Sequence, residues 1–248
     1  MSAGAAYLEI CVDSLASARA AIAGGADAIE LCSALELGGL TPSAGLTRAV
    51  SAAAKPVGVA VRAMVRPRAG GFAYDQDEIE TAIAEARALL DAGADGLVFG
   101  AVRDGKLDRA VIETWRAGIG EHVDRVTLHR AIDLTEDPVA SVEEALALGF
   151  DQVLSSGGAV RAWDGRDTLR RMVSAAAGRC RIIAGSGVRP DLVGDLVAAV
   201  GTAAIHASAR GREGIAEPDP FGFGAASPPA DAAVVRALRS ALNAACRK

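Results

Sequence analysis

Aromatic residues are scarce in this 248-residue chain: Phe, Trp and Tyr together make up only 4% of it. A core with so few rings has to be built from Ala, Val, Leu and Ile, a composition suited to helices packed closely on a parallel sheet. Lysine is scarcer still, with Lys55, Lys106 and Lys248 alone. None falls at the carboxyl end of an expected strand, which argues against Schiff-base aldolase chemistry. Positive charge is in deficit, with 26 Lys and Arg against 31 Asp and Glu. No basic stripe occurs either, so no nucleic-acid partner is expected. No apolar run approaches the ~20 residues that span a bilayer, so no membrane partner is expected. Residues Met1 to Tyr7 lack the basic-then-apolar order of a signal peptide, and a cytoplasmic location is the default expectation. The four cysteines, Cys11, Cys32, Cys180 and Cys246, match no zinc-finger spacing. In a cytosolic chain they are expected as free thiols. Walker A, HExxH and two-His-carboxylate patterns are missing. What is abundant is aliphatic: the chain is 51% hydrophobic, enough for one large core.

Short apolar runs alternate with longer amphipathic segments from end to end. The expected strands are Tyr7–Val12, Ala28–Cys32, Val57–Val65, Gly96–Gly100, Arg125–Arg130, Gln152–Ser156, Arg181–Gly185 and Ala203–Ser208. Between them the periodicity predicts helices, among them Pro42–Ala53 capped by Thr41, Asp77–Ala92, Leu107–Ala117 and Pro190–Val200. The second, fourth, sixth and eighth strands are entered through related phrases. These are Gly25-Ala26-Asp27, Gly93-Ala94-Asp95, Gly149-Phe150-Asp151 and Gly201-Thr202-Ala203. Each glycine reads as a left-handed helix cap. A fourfold βαβα repeat closes naturally, so the fold is expected to be α/β, a single (β/α)8 TIM barrel over residues 1–248. A doubly wound sheet is the alternative, but no glycine-rich phosphate fingerprint follows the first strand. Residues 210–229, with Phe221 and Phe223, read as an irregular connection or as a lid over the barrel mouth.

Alternation within the strands separates two sets of side chains. Leu8, Ile10, Ile29, Leu31, Val61, Ala63, Val126, Leu128 and Ile205 form an aliphatic set expected under the helices. Glu9, Cys11, Glu30, Cys32, Arg62, Met64, Arg66, Thr127, His129, His206 and Ser208 form the opposite set. Charge between sheet and helices would be costly, so the second set is expected inside the barrel. Glu9 and Arg62, lying low, fit either a salt-bridged plug or a working role. Polar groups nearer the carboxyl ends fall where barrel enzymes carry their sites.

Three constellations follow. Gly185, Ser186, Gly187 and Ser208 lie in the loops after the seventh and eighth strands, the usual anion cradle of barrels, with Arg66 and Arg130 at the same end. His129 and Glu30, with Asp133 and His206, offer acid–base capacity. Cys11 and Cys32, taken to sit at similar heights on adjacent strands with Met64 one strand further, form a soft donor set suited to Cu(I). Each has a bland counterpart: solvated arginines, satisfied core histidines, and packed Cys and Met.

Taken together, the phrases Leu8-Glu9-Ile10-Cys11, Glu30-Leu31-Cys32, Gly38-Gly39-Leu40-Thr41-Pro42-Ser43, Met64-Val65-Arg66-Pro67-Arg68, His129-Arg130-Ala131-Ile132-Asp133, Ala184-Gly185-Ser186-Gly187 and His206-Ala207-Ser208 resemble the CutC copper homeostasis family. The resemblance runs from the first strand to the eighth. It implies a TIM barrel, a cytoplasmic protein and a link to copper. The expected function is therefore copper binding, as Cu(I), at the carboxyl-terminal mouth through Cys11 and Cys32. The alternative is a metal-independent acid/base enzyme acting on a small anionic or phosphorylated metabolite. In that case Glu30, His129 and Asp133 would be catalytic, and Arg66, Arg130, Gly185, Ser186, Gly187 and Ser208 would bind the anion. The expected partner is a copper ion or that metabolite, with a homodimer left open.

Overall fold

Gly25, Gly93, Gly149 and Gly201 all adopt φ between +79° and +99°. In that region a side chain would be strained, and there each glycine turns a helix into the strand that follows. The aspartates two residues on from the first two glycines do a second job. Asp27 Oδ2 accepts the backbone N–H of Leu8 (2.7 Å) and Asp95 Oδ2 that of Val61 (2.8 Å), tying each entry to the preceding strand. The repeated phrase is thus a device for stitching the amino-terminal end of the sheet.

The computed structural model describes residues 6–120, 123–211 and 228–247. Among them the barrel strands are β1 (Tyr7–Val12), β2 (Ala28–Leu31), β3 (Ala60–Met64), β4 (Gly96–Phe99), β7 (Val126–Leu128), β8 (Gln152–Ser155), β9 (Arg181–Ala184) and β10 (Ala204–Ala207). A short antiparallel hairpin, β5 (Val102–Arg103) and β6 (Lys106–Leu107), precedes the fourth helix. All barrel pairs are parallel, and β1 closes on both β2 and β10. The helices are α1 (Leu15–Gly24), α2 (Ala44–Ala54), α3 (Gln76–Asp91), α4 (Arg109–Ile119), α5 (Ala140–Ala147), α6 (Arg166–Ala176), α7 (Val193–Val200) and α8 (Ala232–Ala245). Phe221 and Phe223 lie outside the described residues.

Local chemistry moved several expected boundaries. The third strand begins at Ala60 rather than Val57, because Lys55–Val57 is a 3-10 turn ended by Gly58 at φ +73°. The cap of α2 is Ser43, whose hydroxyl accepts from Leu46 N. Thr41 is instead committed to Glu85, to which its hydroxyl donates (2.6 Å), and to Arg66 N, from which it accepts (2.9 Å). The β5–β6 hairpin displaced the start expected for α4 at Leu107. Its turn is Asp104-Gly105, both at positive φ, a pair that favours a tight hairpin.

The aliphatic set lies where alternation put it. Leu8, Ile10, Ile29, Leu31, Val61, Ala63, Val126, Leu128 and Ile205 are buried in one continuous core between sheet and helices. The few aromatics are concentrated there: Phe99 stacks on Trp115 of α4 (4.2 Å) and on Tyr74 (6.0 Å). Inside the barrel sit two small apolar clusters, Cys32 with Met64 and Val98, and Leu154 with Ile183 and Ala204. Low in the barrel Arg62 forms a two-pronged pair with Asp151 (2.8 and 2.6 Å) and donates to Thr127 (2.9 Å). Arg62 is thus a plug. Its Asp151 partner comes from the third of the repeated entry phrases. Asp151→Ala should therefore lower the unfolding free energy by about 2–3 kcal/mol in urea denaturation. That is less than the ~3–5 kcal/mol for a fully buried pair, since Asp151 is about a third exposed. A loss below ~0.5 kcal/mol, within the range of an ordinary surface pair, would show that the plug does not hold the barrel.

Candidate functional site

Three side chains of the inward set meet near the mouth. Parallel pairing puts Glu9 of β1 level with His206 of β10, and Cys11 of β1 level with Glu30 of β2. One sulfur of Cys11, one carboxylate oxygen of Glu30 and one ring nitrogen of His206 therefore lie within 4.8 Å of one another. His206 Nδ1 is 3.0 Å from Glu9 Oε1, and its Nε2 is 3.8 Å from Glu30 Oε2. Behind Glu9, the Tyr7 hydroxyl donates to Oε2 (3.2 Å). Glu9, Glu30 and His206 are all buried, while Cys11 is partly open.

This row sets its own protonation. Burial alone would lower the His206 pKa, but Glu30, Cys11 and Glu9 outweigh it and hold the imidazole well above its usual value. Burial pushes Glu30 up to about 7; Glu9 adds to the rise, and His206 and the Cys32 thiol oppose it. The Glu30 oxygen Oε1 is buried with no hydrogen-bond partner among the described residues. An acidic oxygen left bare beside a thiol and an imidazole is suited to a cation.

Cys32 stands differently from expectation. It is not at the height of Cys11: the register aligns Cys11 with Glu30 and Val12 with Leu31, so Cys32 sits two residues further toward the mouth. Its thiol donates to Glu30 Oε2 (3.8 Å) and packs with Met64 and Val98. Burial, followed by the nearby Glu30, holds that thiol well above its ordinary pKa, so it stays protonated.

Above the donor group lies a cavity of about 190 Å³, bordered by Cys11, Glu30, Arg66, His129 and His206, with Arg130 and Arg210 also on it. Phe72 walls it, packing on the His129 ring (4.7 Å) and lying under the Arg66 guanidinium (4.9 Å). His129 Nδ1 accepts from Ala131 N (3.1 Å), so in the neutral ring Nε2 carries the proton, and among the described residues that nitrogen has no acceptor. Burial and then Arg66 lower its pKa to about 3, so the ring is neutral at neutral pH.

Glu30 and His129 are thus brought together, but Asp133 is not with them. Its oxygens accept from Ser155 Oγ, Ser156 N and Gly158 N and pair with Arg130 Nε (2.9 Å). Asp133 and Arg130 therefore pin the 3-10 turn Arg130–Leu134 to the end of β8 rather than orient a histidine. The Ser186 hydroxyl donates to the Val160 carbonyl (2.7 Å), and Gly185 N donates to the Ser155 carbonyl (3.0 Å). Gly185, Ser186, Gly187 and Ser208 are not among the residues that line the cavity; from the segment after β10 it is Arg210 that reaches it. Sequence reasoning left Glu9 open between a plug and a working role and gave His206 an acid–base part, without joining either to the metal donors. The signal was present in the alternation, since first and last strands of a closed barrel are neighbours and Glu9 and His206 share the inward face.

The fold and this mouth define a class: parallel eight-stranded barrels whose working groups project from the carboxyl ends of the strands. Within it the chain belongs to the CutC family, whose model matches residues 6–211. A CutC family protein of Rhizobium meliloti is 42% identical over 97% of this chain and 98% of its own length. The human copper homeostasis protein cutC homolog is 42% identical over 84% of this chain and 76% of its own length. In fold, a CutC crystal structure from Streptococcus agalactiae superposes with a TM-score of 0.77, at 24% identity, covering 82% of this chain and 98% of that one. The thiamine phosphate pyrophosphorylase of Pyrococcus furiosus shares the fold at a TM-score of 0.61 and 17% identity, covering 96% of each chain.

The neutral state of His129 carries a stability signature. A histidine whose folded pKa is depressed to about 3 stabilises the fold fully above its unfolded value near 6.5 and loses that contribution as pH falls toward 3. His129→Asn keeps an acceptor for Ala131 N but does not titrate. The stability advantage of the natural protein over this variant should shrink steadily between pH 6.5 and pH 3 in urea denaturation. An advantage independent of pH over that window would mean the ring is not held neutral.

Proposed function

We propose that the chain binds one copper ion at the carboxyl-terminal mouth of its barrel, through Cys11 with His206 and Glu30. The observation that carries this is the convergence of sulfur, nitrogen and oxygen donors within 4.8 Å of one another beside a bare carboxylate oxygen. Thiolate and imidazole are copper donors in either oxidation state, and the soft sulfur favours Cu(I). Glu9 would act on the ion only through His206, fixing the ring by its contact to Nδ1, as carboxylates commonly do behind ligating histidines. Cys32 stands beside this donor group, its thiol donating to Glu30, and would contribute a second soft sulfur only on losing its proton. The family membership supports a role in copper handling, and the human relative carries that name.

Ligation requires the thiol and the imidazolium to give up protons, so affinity should weaken as pH falls. Anaerobic titration of the reduced protein against a chromogenic Cu(I) chelator should give one copper per chain. Cys11→Ser should abolish that binding, and Glu9→Gln should weaken it about 10- to 100-fold. Unchanged stoichiometry and affinity in Cys11→Ser would overturn the proposal.

A further inference from the structure

Arg66 is a cation almost wholly shut off from water, and among the described residues no carboxylate forms an ion pair with it. Its Nη1 donates to the carbonyls of Leu37 (3.0 Å) and Gly39 (3.2 Å), and its Nη2 to that of Gly70 (2.7 Å). Those neutral dipoles fix the guanidinium plane without cancelling its charge, and a buried charge left uncancelled is costly. A further donor, Nε–H, is buried and among the described residues meets no acceptor. The same holds for Nε2–H of His129, whose other nitrogen is occupied by Ala131 N. Both residues border the cavity at the mouth, and Phe72 lies against both of them.

Two orphaned buried donors and an unbalanced positive charge on one cavity specify an anion with acceptor oxygens. The wall says more. Leu35, Met64, Phe72 and Leu154 line the same space, so the occupant carries carbon as well as charge. Two N–H groups match the two oxygens of a carboxylate. A phosphate would leave further oxygens bare against those apolar side chains. At about 190 Å³ the cavity falls below the ~300 Å³ of ordinary ligand pockets, which limits the occupant to on the order of ten non-hydrogen atoms. The other charged groups on the cavity do not cancel Arg66: Glu30 faces His206, Arg130 is paired with Asp133, and Arg210 is a further cation at the rim.

We propose that the mouth cavity binds a small organic carboxylate, whose oxygens accept from Arg66 Nε–H and His129 Nε2–H. The site stands beside the copper donors and does not use them, so it is separable from the copper assignment. It is also the substrate subsite that acid–base chemistry at this mouth would need.

The test uses the metal-free, reduced, full-length protein with acetate, pyruvate, L-lactate and L-malate as probes and inorganic phosphate as the contrast. Isothermal titration should show saturable one-to-one binding of at least one carboxylate, tighter than phosphate. In ¹H–¹⁵N spectra of the natural protein the His129 Nε2 proton, assigned by its loss in His129→Asn, should move downfield on saturation. His129→Asn and Arg66→Lys should each weaken binding at least tenfold. The proton shift in the unmutated protein keeps the test decisive if Arg66→Lys does not fold. Absence of binding by all four carboxylates, binding that leaves the His129 proton unmoved, or tighter binding of phosphate would each overturn the proposal. None of these outcomes bears on copper affinity, which is measured separately.

Discussion

An imidazole held between two carboxylates inside a closed barrel is the constraint on which the mouth depends. His206 sits 3.0 Å from Glu9 and 3.8 Å from Glu30, on strands that meet only because the sheet closes. Taken singly, each of these charges would be expelled from such an interior. Together they stabilise one another, and each fixes the geometry of the next: Tyr7 steadies Glu9, Glu9 orients His206, and His206 faces Glu30 and Cys11. The site is therefore a consequence of barrel closure, with β10 supplying the imidazole that β1 and β2 surround.

Below this row the interior is structural. Arg62 and Asp151 lock β3 to the entry of β8, and small apolar clusters fill the remaining volume. Above it charged side chains organise the loops. Arg130 and Asp133 are spent on each other and on the end of β8, while Arg66 gathers the loops after β2 and β3 through three carbonyls. The division is graded by height. Low in the barrel Arg62 is paired with Asp151, and among the described residues the buried polar atoms without partners on Glu30, Arg66 and His129 belong to residues that border the cavity.

Much of this was legible in the residues. The four glycine phrases located the strand entries, and period-two alternation assigned the inward and outward faces, because a buried charge can lie only on the interior side. The height of a side chain was less legible. Whether Cys32 or Glu30 stands level with Cys11 depends on the stagger between neighbouring strands, which a strand's own sequence does not encode. The fate of Asp133 was hidden for a similar reason: its partners Ser155, Ser156 and Gly158 lie over twenty residues away. The β5–β6 hairpin, by contrast, was announced by Asp104-Gly105 and passed over in favour of the helical pattern that follows it.

The central claim is that the donor group joins a soft sulfur to an imidazole at the mouth. X-ray absorption at the copper edge of the Cu(I)-loaded protein tests it most directly. The account predicts a first shell containing sulfur together with nitrogen or oxygen scatterers, with the sulfur contribution lost in Cys11→Ser. A shell of nitrogen and oxygen alone, or a sulfur contribution that survives Cys11→Ser unchanged, would contradict it.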